Sequence, residues 1–162
     1  MVASKFEIRE ASIADVPHLF DLIQELARYE NLEDAVTGSP EAFQQHLFEE
    51  PRYAEVIMAE VDQRVVGYAL FFTSYSTFLT QPGLYLEDLY VQEKHRGHGI
   101  GTALIRHLAS LAAERQYGRL EWSVLDWNAS AIAFYETLGA TVLPDWRICR
   151  VVGSALKTLA SP

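Results

Sequence analysis

The chain has 162 residues, 49% of them apolar and 22% charged, and its formal net charge is −9. This length and composition predict one folded, soluble domain over residues 1–162, and the negative charge argues against nucleic acid or an anionic membrane as a partner. Its apolar runs fall short of the roughly 20 residues that span a bilayer, and the charged first residues lack a secretory signal, so a cytoplasmic protein is expected. The single cysteine, Cys149, excludes an internal disulfide and a metal site built on clustered cysteines.

The first half of the chain is predicted to hold a strand, two helices and a hairpin. Alternation of apolar and polar residues predicts a strand over residues 5–9, and β-branched and aromatic residues on either side of the polar Asp62-Gln63 turn predict a hairpin of two strands over 53–61 and 64–73. Apolar residues at helical spacing predict a helix from the capping pair Ser12 and Asp15 to about Tyr29, and a shorter one from Ser39-Pro40 to Phe48.

The second half is predicted to alternate strands with helices. The predicted strands cover residues 84–91, 120–126 and 146–152, with a short tail after the last. One predicted helix begins near Ile100, and another follows Asn128, its cap, and ends before Gly139. Because a strand–helix–strand crossover joins parallel strands, this order predicts an α/β fold with a mixed sheet, a parallel pair in its middle and helices on its faces.

A glycine-rich turn, Arg96-Gly97-His98-Gly99-Ile100-Gly101, lies between a predicted strand and a predicted helix. Backbone N–H groups and the dipole at a helix start favour a phosphate, although glycine-rich turns also occur for steric reasons alone. A dinucleotide site needs G-x-G-x-x-G, but Thr102 stands where the third glycine belongs, and no Walker A lysine follows. The nearby His95, His98 and His107 lack metal-ligand spacing, so no bound metal is expected.

The turn is similar to the pyrophosphate loop Arg/Gln-x-x-Gly-x-Gly/Ala of the GNAT superfamily of acetyl-CoA-dependent N-acetyltransferases, which Arg96, Gly99 and Gly101 match. Four motifs resemble its spermidine/spermine (diamine) acetyltransferase branch: residues 84–91, 96–101 and 124–128 and the pair Phe134-Tyr135. The resemblance covers essentially the whole chain. It implies a mostly antiparallel sheet with a central, splayed parallel strand pair and helices on both faces, acetyl-CoA as co-substrate, and a homodimer.

The resemblance also implies a set of cofactor-binding residues. The glycine turn would hold the pyrophosphate, and the strand before it would offer its backbone to the pantetheine amides. The implied residues are Leu89, Val91, Arg96, Gly97, Gly99, Ile100, Gly101, Thr102, Asn128 and Tyr135. For Asn128 a second interpretation, that of a simple helix cap, is equally open.

Acetyl transfer to an amine requires a base, because an alkylammonium group, with a pKa of about 10.4 by analogy with lysine, is not nucleophilic. Glu87 lies in an otherwise apolar strand and, by the two-residue period, is expected to share a face with Tyr85, Leu89 and Val91. It is either this base or a surface carboxylate. Tyr135 matches the family's general-acid position for the departing thiolate, and its alternative is a core aromatic with a polar tip.

Acidic and aromatic side chains suit an ammonium-bearing acceptor through ion pairing and cation–π contact. The candidate acceptor residues are Tyr29, Glu30, Ser76, Glu87 and Asp88, and Glu30 is alternatively a solvated helix end. Where the polyamine enzymes have Tyr-Asp-Pro-Trp, this chain has Tyr-Ser-Thr-Phe at 75–78, so an acidic substrate contact is missing at Ser76. This form looks more like the relatives that acetylate thialysine.

The predicted function is therefore acetyl-CoA-dependent N-acetylation of a small cationic acceptor, a diamine, polyamine or lysine-like amino acid, by direct attack in a ternary complex. Two alternatives stand beside it. A catalytically idle acyl-CoA-binding regulator would keep the glycine turn, but the presence of both Glu87 and Tyr135 speaks against it. A protein lysine or N-terminal acetyltransferase would suit the acidic surface, but nothing in the sequence marks a peptide groove.

Overall fold

The computed structural model of the protein describes residues 5–161 and divides into two compact units, with the boundary between Ser123 and Val124. The elements of the first unit are β1 (Phe6–Glu10), α1 (Val16–Glu30), α2 (Pro40–Phe48), β2 (Glu55–Val61), β3 (Arg64–Ser76), β4 (Gln81–Val91), α3 (Ile100–Glu114) and β5 (Leu120–Trp122). Those of the second unit are α4 (Ala129–Thr137) and α5 (Gly153–Ala160). No helix within residues 5–161 has the length and apolar character of a membrane span.

The predicted capping pair Ser12 and Asp15 lies just before α1, at the 3-10 turn Ile13–Asp15 that leads into the helix. The Ser12 backbone N–H and hydroxyl donate to the Asp15 carboxylate at 2.7 and 2.8 Å, and Pro17 occupies the first turn. Arg9 of β1 donates to both oxygens of the same carboxylate at 2.9 Å, which ties the helix to the sheet. This pairing holds the pKa of Asp15 well below its usual range. The helix ends where Asn31 takes a left-handed conformation.

The sheet has the strand order β1-β2-β3-β4-β5. The first four strands pair antiparallel, and β4 pairs with β5 in parallel from Leu84↔Leu120 to Leu86↔Trp122. A mixed, mostly antiparallel sheet with one parallel pair is therefore confirmed. The pair lies at one end of the described sheet and not at its centre, because β5 has no described strand on its outer side. The strand predicted over 120–126 ends at Trp122.

Alternating side chains give the sheet one helical layer on each face. On one face, Leu104 of α3 is buried in the same cluster as Phe71 of β3. On the other, Leu19 of α1 and Leu47 of α2 are buried with Tyr68 of β3. Each buried leucine contributes roughly 1.5–3 kcal/mol of hydrophobic stabilisation. Helices on both faces are thus confirmed, and β3 and β4 run between the two layers.

The second unit confirms one predicted helix and corrects the prediction that follows it. The Asn128 side chain accepts the Ala131 N–H at 3.2 Å at the start of α4, and Gly139 has a φ of +88° just beyond its end. Residues 146–152, predicted as a final strand, form none, and α5 occupies the predicted tail. A strand requires a neighbouring backbone with which to pair, and an alternating pattern alone does not supply one.

Candidate functional site

A β-bulge lies in the middle of β4 at Glu87. In the pairing with β3, Leu86 lies opposite Phe71 and Asp88 opposite Leu70, so Glu87 is an extra residue between consecutive partners. A bulge bends its strand and re-aims the side chains around it. Glu87 is itself exposed, so the acidic pair Glu87-Asp88 is presented where the regular pairing of the sheet is interrupted.

The bulge changes which side chains of β4 share a face. Leu86 before it and Leu89 after it both pack in the cluster beneath α3. An unbroken strand would place residues 86 and 89 on opposite faces. The prediction that Glu87 shares a face with Tyr85, Leu89 and Val91 is therefore wrong, because Tyr85 and Leu89 lie on opposite faces of the bulged strand.

Asp88, the residue after the bulge, carries a partly buried carboxyl group. It accepts a hydrogen bond of 3.1 Å from the hydroxyl of Tyr68, whose side chain is fully buried. Desolvation raises the pKa of Asp88 to about 6; the Tyr68 hydrogen bond opposes this rise, and the charges of Glu87 and Glu30 add to it. A carboxyl group with such a pKa in an acidic region can exchange a proton or hold a cation near neutral pH.

The C-terminal end of α1 places two more predicted acceptor residues beside this carboxyl group. Burial raises the pKa of Glu30, and the Glu30 charge raises the pKa of both Asp88 and Tyr68. These interactions show that the three groups share one poorly solvated region. Tyr29, the preceding residue of α1, is partly exposed at the same helix end. The structure thus brings Glu30, Glu87 and Asp88 into one acidic cluster, with Tyr29 at the adjoining helix end, and such carboxylates suit an ammonium group.

Ser76, the remaining predicted acceptor residue, lies apart from this cluster. It is buried, and its hydroxyl oxygen accepts the Leu79 N–H at 3.2 Å in the turn between β3 and β4. Leu70, which pairs with Asp88, precedes it by six positions on β3, a span of roughly 20 Å at about 3.3 Å per residue. Ser76 therefore closes a turn and is not brought to Asp88.

The turn between β4 and α3 has the features of an anion site. Gly97 and Gly99 have φ angles of +77° and +84°, and a Cβ atom at either would meet no atom within 4 Å. The backbone conformation therefore requires glycine at both positions, and the space beside them is open. Gly99 is the N-cap of α3, and no side chain caps the first turn of this helix. Its N–H groups and dipole favour an anion there, with Ile100, Gly101 and Thr102 in that turn.

The strands β4 and β5 pair over a short stretch only. Their described pairing ends at Leu86↔Trp122, whereas β4 continues to Val91 against β3. Beyond the bulge, the edge of β4 that faces β5 therefore makes no described strand pairing. Leu89 and Val91 lie in this stretch with their side chains packed in the core, so any ligand at this edge would meet their backbones.

The arginine of the turn is held by protein groups. Its Nε donates to the Val91 carbonyl oxygen at 2.8 Å. Its guanidinium carbon lies 4.7 Å from the ring centroid of Tyr29 and 5.6 Å from that of Tyr90. The side chain of Arg96 is thus engaged with α1 and β4, and the anion-binding features of the turn are those of its backbone.

An open groove of about 470 Å³ borders the turn along the outer side of α3. It is lined by Phe6, Gly99, Thr102, Ala103, Arg106, His107 and Ser110. Gly99 and Thr102 belong to the predicted phosphate site, and the cationic Arg106 follows one helical turn later. The groove therefore extends the anion-favouring region from the turn along the helix.

Two predicted site residues, Asn128 and Tyr135, lie in the second unit. The Asn128 side chain accepts hydrogen bonds from the Ala131 N–H and the Ser130 hydroxyl at 3.2 and 3.1 Å, which confirms it as a helix cap. Tyr135 is half-buried in α4, with its ring centroid 5.3 Å from that of Phe134. The cofactor role of Asn128 and the acid role of Tyr135 stay predictions.

Four residues of this region were not predicted from the sequence as part of the site: Tyr68, Glu25, Tyr90 and Gln92. Tyr68 lies in an apolar strand and shows no polar pattern; only the antiparallel register brings β3 and β4 side chains together. For Glu25 a signal existed, because Glu25 and Tyr29 are four positions apart and so lie on the same side of α1. Among residues 5–161, no group of three or more His, Cys, Asp or Glu residues is arranged to hold a metal ion.

The amino-acid sequence is similar to that of known acetyltransferases over most of its length. A profile of the Acetyltransferase (GNAT) family matches residues 19–140, a range that contains every predicted site residue. The chain is 38% identical to a thialysine N-epsilon-acetyltransferase of Bos taurus, over 94% of this chain and 96% of that protein. It is 44% identical to an L-ornithine N5-acetyltransferase of Arabidopsis thaliana, over 60% of this chain and 43% of that protein.

The chain is also similar in fold to a solved structure. An integron cassette protein from the mobile metagenome of V. cholerae superposes on the chain with a TM-score of 0.81 and 28% sequence identity. The match covers 97% of this chain and 98% of that one. The likeness in fold thus extends over nearly the whole of both chains.

Proposed function

The chain belongs to the GNAT acetyltransferase family and is an N-acetyltransferase, and on that premise we propose that it acetylates the side-chain amine of lysine-like amino acids and short diamines. The acceptor amine attacks acetyl-CoA directly in a ternary complex. Relatives named for thialysine and for ornithine support this acceptor class, since both compounds carry a primary amine at the end of a short chain.

The observation that carries the proposal is that one strand joins an acidic bulge to a glycine turn. At its bulge, β4 presents Glu87 and the partly buried Asp88, which suit a cationic amine. At its end, β4 leads through Val91 into the turn with Gly97 and Gly99, which suits an anion. An amine-bearing acceptor and a phosphate-bearing donor would therefore meet along a single strand.

The residues of the turn fit acetyl-CoA. The open space beside Gly97 and Gly99 and the uncapped first turn of α3 suit a pyrophosphate, and the β4 edge at Leu89 and Val91 suits the pantetheine amides. Bound there, acetyl-CoA would supply the activated acetyl group as a thioester. Asn128 is proposed as a further contact on the resemblance alone.

The acidic residues have two separate roles toward the acceptor, binding its ammonium group and removing a proton. Asp88, partly buried and hydrogen-bonded to Tyr68, anchors the ammonium group together with Glu30. Glu87, exposed at the bulge, removes the proton from the nitrogen directly or through water, because only the neutral amine has a lone pair for attack. Tyr135 is proposed to protonate or hydrogen-bond the departing thiolate, on the strength of the family motif.

We also propose a domain organisation, an oligomeric state and a location for the enzyme. We propose that residues 1–162 act as one acetyltransferase domain, because the family match runs across the boundary between the two compact units. A homodimer is proposed from the resemblance, and a cytoplasmic location is proposed with it.

Initial rates with a panel of acceptors test the function. The panel contains thialysine, lysine, ornithine, 1,3-diaminopropane, spermidine, spermine and a lysine-containing peptide. We expect the amino acids and the short diamine to have higher kcat/KM than spermine, because Ser76 offers no charge for a second distant ammonium group. A clear preference for spermine or for the peptide would overturn the proposed acceptor class.

A further inference from the structure

The side chain of Arg96 joins two segments that lie more than sixty positions apart in the sequence. Arg96 stands at the start of the glycine turn, and Tyr29 stands near the C-terminal end of α1. The guanidinium carbon lies 4.7 Å from the Tyr29 ring centroid and 5.6 Å from the Tyr90 ring centroid. Both distances lie within the range of a cation–π interaction.

A second set of contacts ties the same two segments together. The Tyr90 hydroxyl donates to Glu25 of α1 at 3.0 Å, and the Gln92 side-chain amide donates to both oxygens of that carboxylate at 3.1 and 3.2 Å. Glu25 and Tyr29 are one helical turn apart on α1. The end of β4 therefore holds this side of α1 at two successive turns, through Glu25 and through Arg96.

The turn itself needs such an anchor. Gly97 and Gly99 lack side chains that pack on their neighbours, and glycine has the largest backbone freedom to lose on ordering. Arg96 precedes them directly, and its Nε donates to the Val91 carbonyl oxygen at 2.8 Å, which closes the turn onto the end of β4. A planar guanidinium group can donate this hydrogen bond from its edge while its flat face lies against an aromatic ring.

We infer that Arg96 is a positioning residue: by lying between Tyr29 and Tyr90 it couples the acceptor end of α1 to the conformation of the acetyl-CoA loop. The inference rests on the proposed function, because it takes the glycine turn as the acetyl-CoA site. Its consequence is that the aromatic ring of Tyr29, on a helix that the anion site does not include, contributes to acetyl-CoA affinity through Arg96.

A double-mutant cycle on acetyl-CoA binding, measured by calorimetry, tests the coupling. Arg96→Gln and Tyr29→Leu should each raise the Kd of acetyl-CoA by roughly three- to tenfold, the size expected from loss of a partly exposed cation–π contact. The double variant should bind no more weakly than the weaker single variant, because either change already breaks the contact. Tyr29→Phe keeps the ring and should restore the affinity.

Matched controls separate coupling from general damage. Arg52→Gln removes an exposed arginine paired with Glu50, and Tyr53→Leu removes an exposed tyrosine; both should leave the Kd unchanged. Additive effects of the two site substitutions, or unchanged binding by Tyr29→Leu, would refute the coupling while leaving the function intact. Failure of the parental protein to bind acetyl-CoA would instead refute the proposed function.

Discussion

The hydroxyl of Tyr68 lies 3.1 Å from Oδ2 of Asp88, which joins two side chains twenty positions apart across the β3–β4 ladder. Tyr68 is fully buried, and burial together with the Asp88 charge raises the pKa of its hydroxyl well above the ordinary value of 10.0. The tyrosine is therefore a permanent hydrogen-bond donor at any pH of interest. It partly offsets the cost of keeping an ionised Asp88 out of water.

This relationship predicts how stability depends on pH. Burial raises the pKa of Asp88 from 3.8 to about 6, so the folded protein holds this proton more tightly than the unfolded chain. The stabilisation from the neutral carboxyl group is fully present below pH 3.8 and is lost as the pH rises through about 6. Asp88→Asn removes the ionisation but can still accept from Tyr68, so at pH 7.5 it should raise the free energy of unfolding, by at most about 3 kcal/mol.

Urea unfolding at pH 4.5 and 7.5 measures this effect. Relative to the parental protein, Asp88→Asn should gain stability at both pH values, and the gain at pH 4.5 should be about a third of that at pH 7.5. The exposed Asp145 provides a control, and Asp145→Asn should change neither value. If Asp88→Asn is less stable than the parental protein at pH 7.5, the surroundings of Asp88 do not disfavour its charged form.

The base role of Glu87 predicts a change in the pH–rate profile. Glu87→Gln keeps the size of the side chain but cannot accept the proton, so kcat should fall by about 10²-fold and the ascending limb of the profile should disappear. Steady-state rates from pH 5.5 to 9 with thialysine provide the measurement. The exposed Glu93, which follows β4, is the control, and Glu93→Gln should keep the parental profile. If the ascending limb of the pH–rate profile is unchanged in Glu87→Gln, Glu87 is not the base.

The acid role of Tyr135 predicts a selective loss of turnover. Tyr135→Phe keeps the ring that lies beside Phe134 and removes only the hydroxyl group. We expect kcat to fall by about tenfold or more, with little change in KM or in melting temperature, because the hydroxyl acts only as the thiolate departs. Tyr53→Phe at an exposed position serves as the control. If Tyr135→Phe keeps the parental kcat, the Tyr135 hydroxyl is not the donor to the leaving group.

The glycine turn predicts a position-specific effect on cofactor binding. At Gly99 the φ of +84° is strained for a β-branched residue, and the valine side chain would enter the open space proposed for the pyrophosphate. Gly99→Val should therefore raise the Kd of acetyl-CoA by about tenfold or more, at a cost in stability of about 1–3 kcal/mol. Gly38 also has open space around it, without such a φ, and Gly38→Val is the matched control. Equal affinity of both variants in calorimetry would exclude the turn as the binding site.

The sequence alone was sufficient to predict the elements that depend on local chemistry. The cap at Ser12, the cap at Asn128, the terminator Gly139 and the glycine turn before α3 are all confirmed, because capping and left-handed conformations are decided by the residue itself and its near neighbours. The order of strands and helices then predicted the mixed sheet.

Tertiary structure decided what depends on pairing. The bulge at Glu87 exists only in the register of β4 with β3, and it overturned the two-residue period that assigned the faces of β4. Residues 146–152 were predicted as a strand, yet they form none, because strand formation requires a partner edge. Tyr68 and Arg96 acquired their partners, Asp88 and Tyr29, from strands and helices distant in sequence. Local patterns cannot encode these contacts, since burial and register arise only when the layers pack.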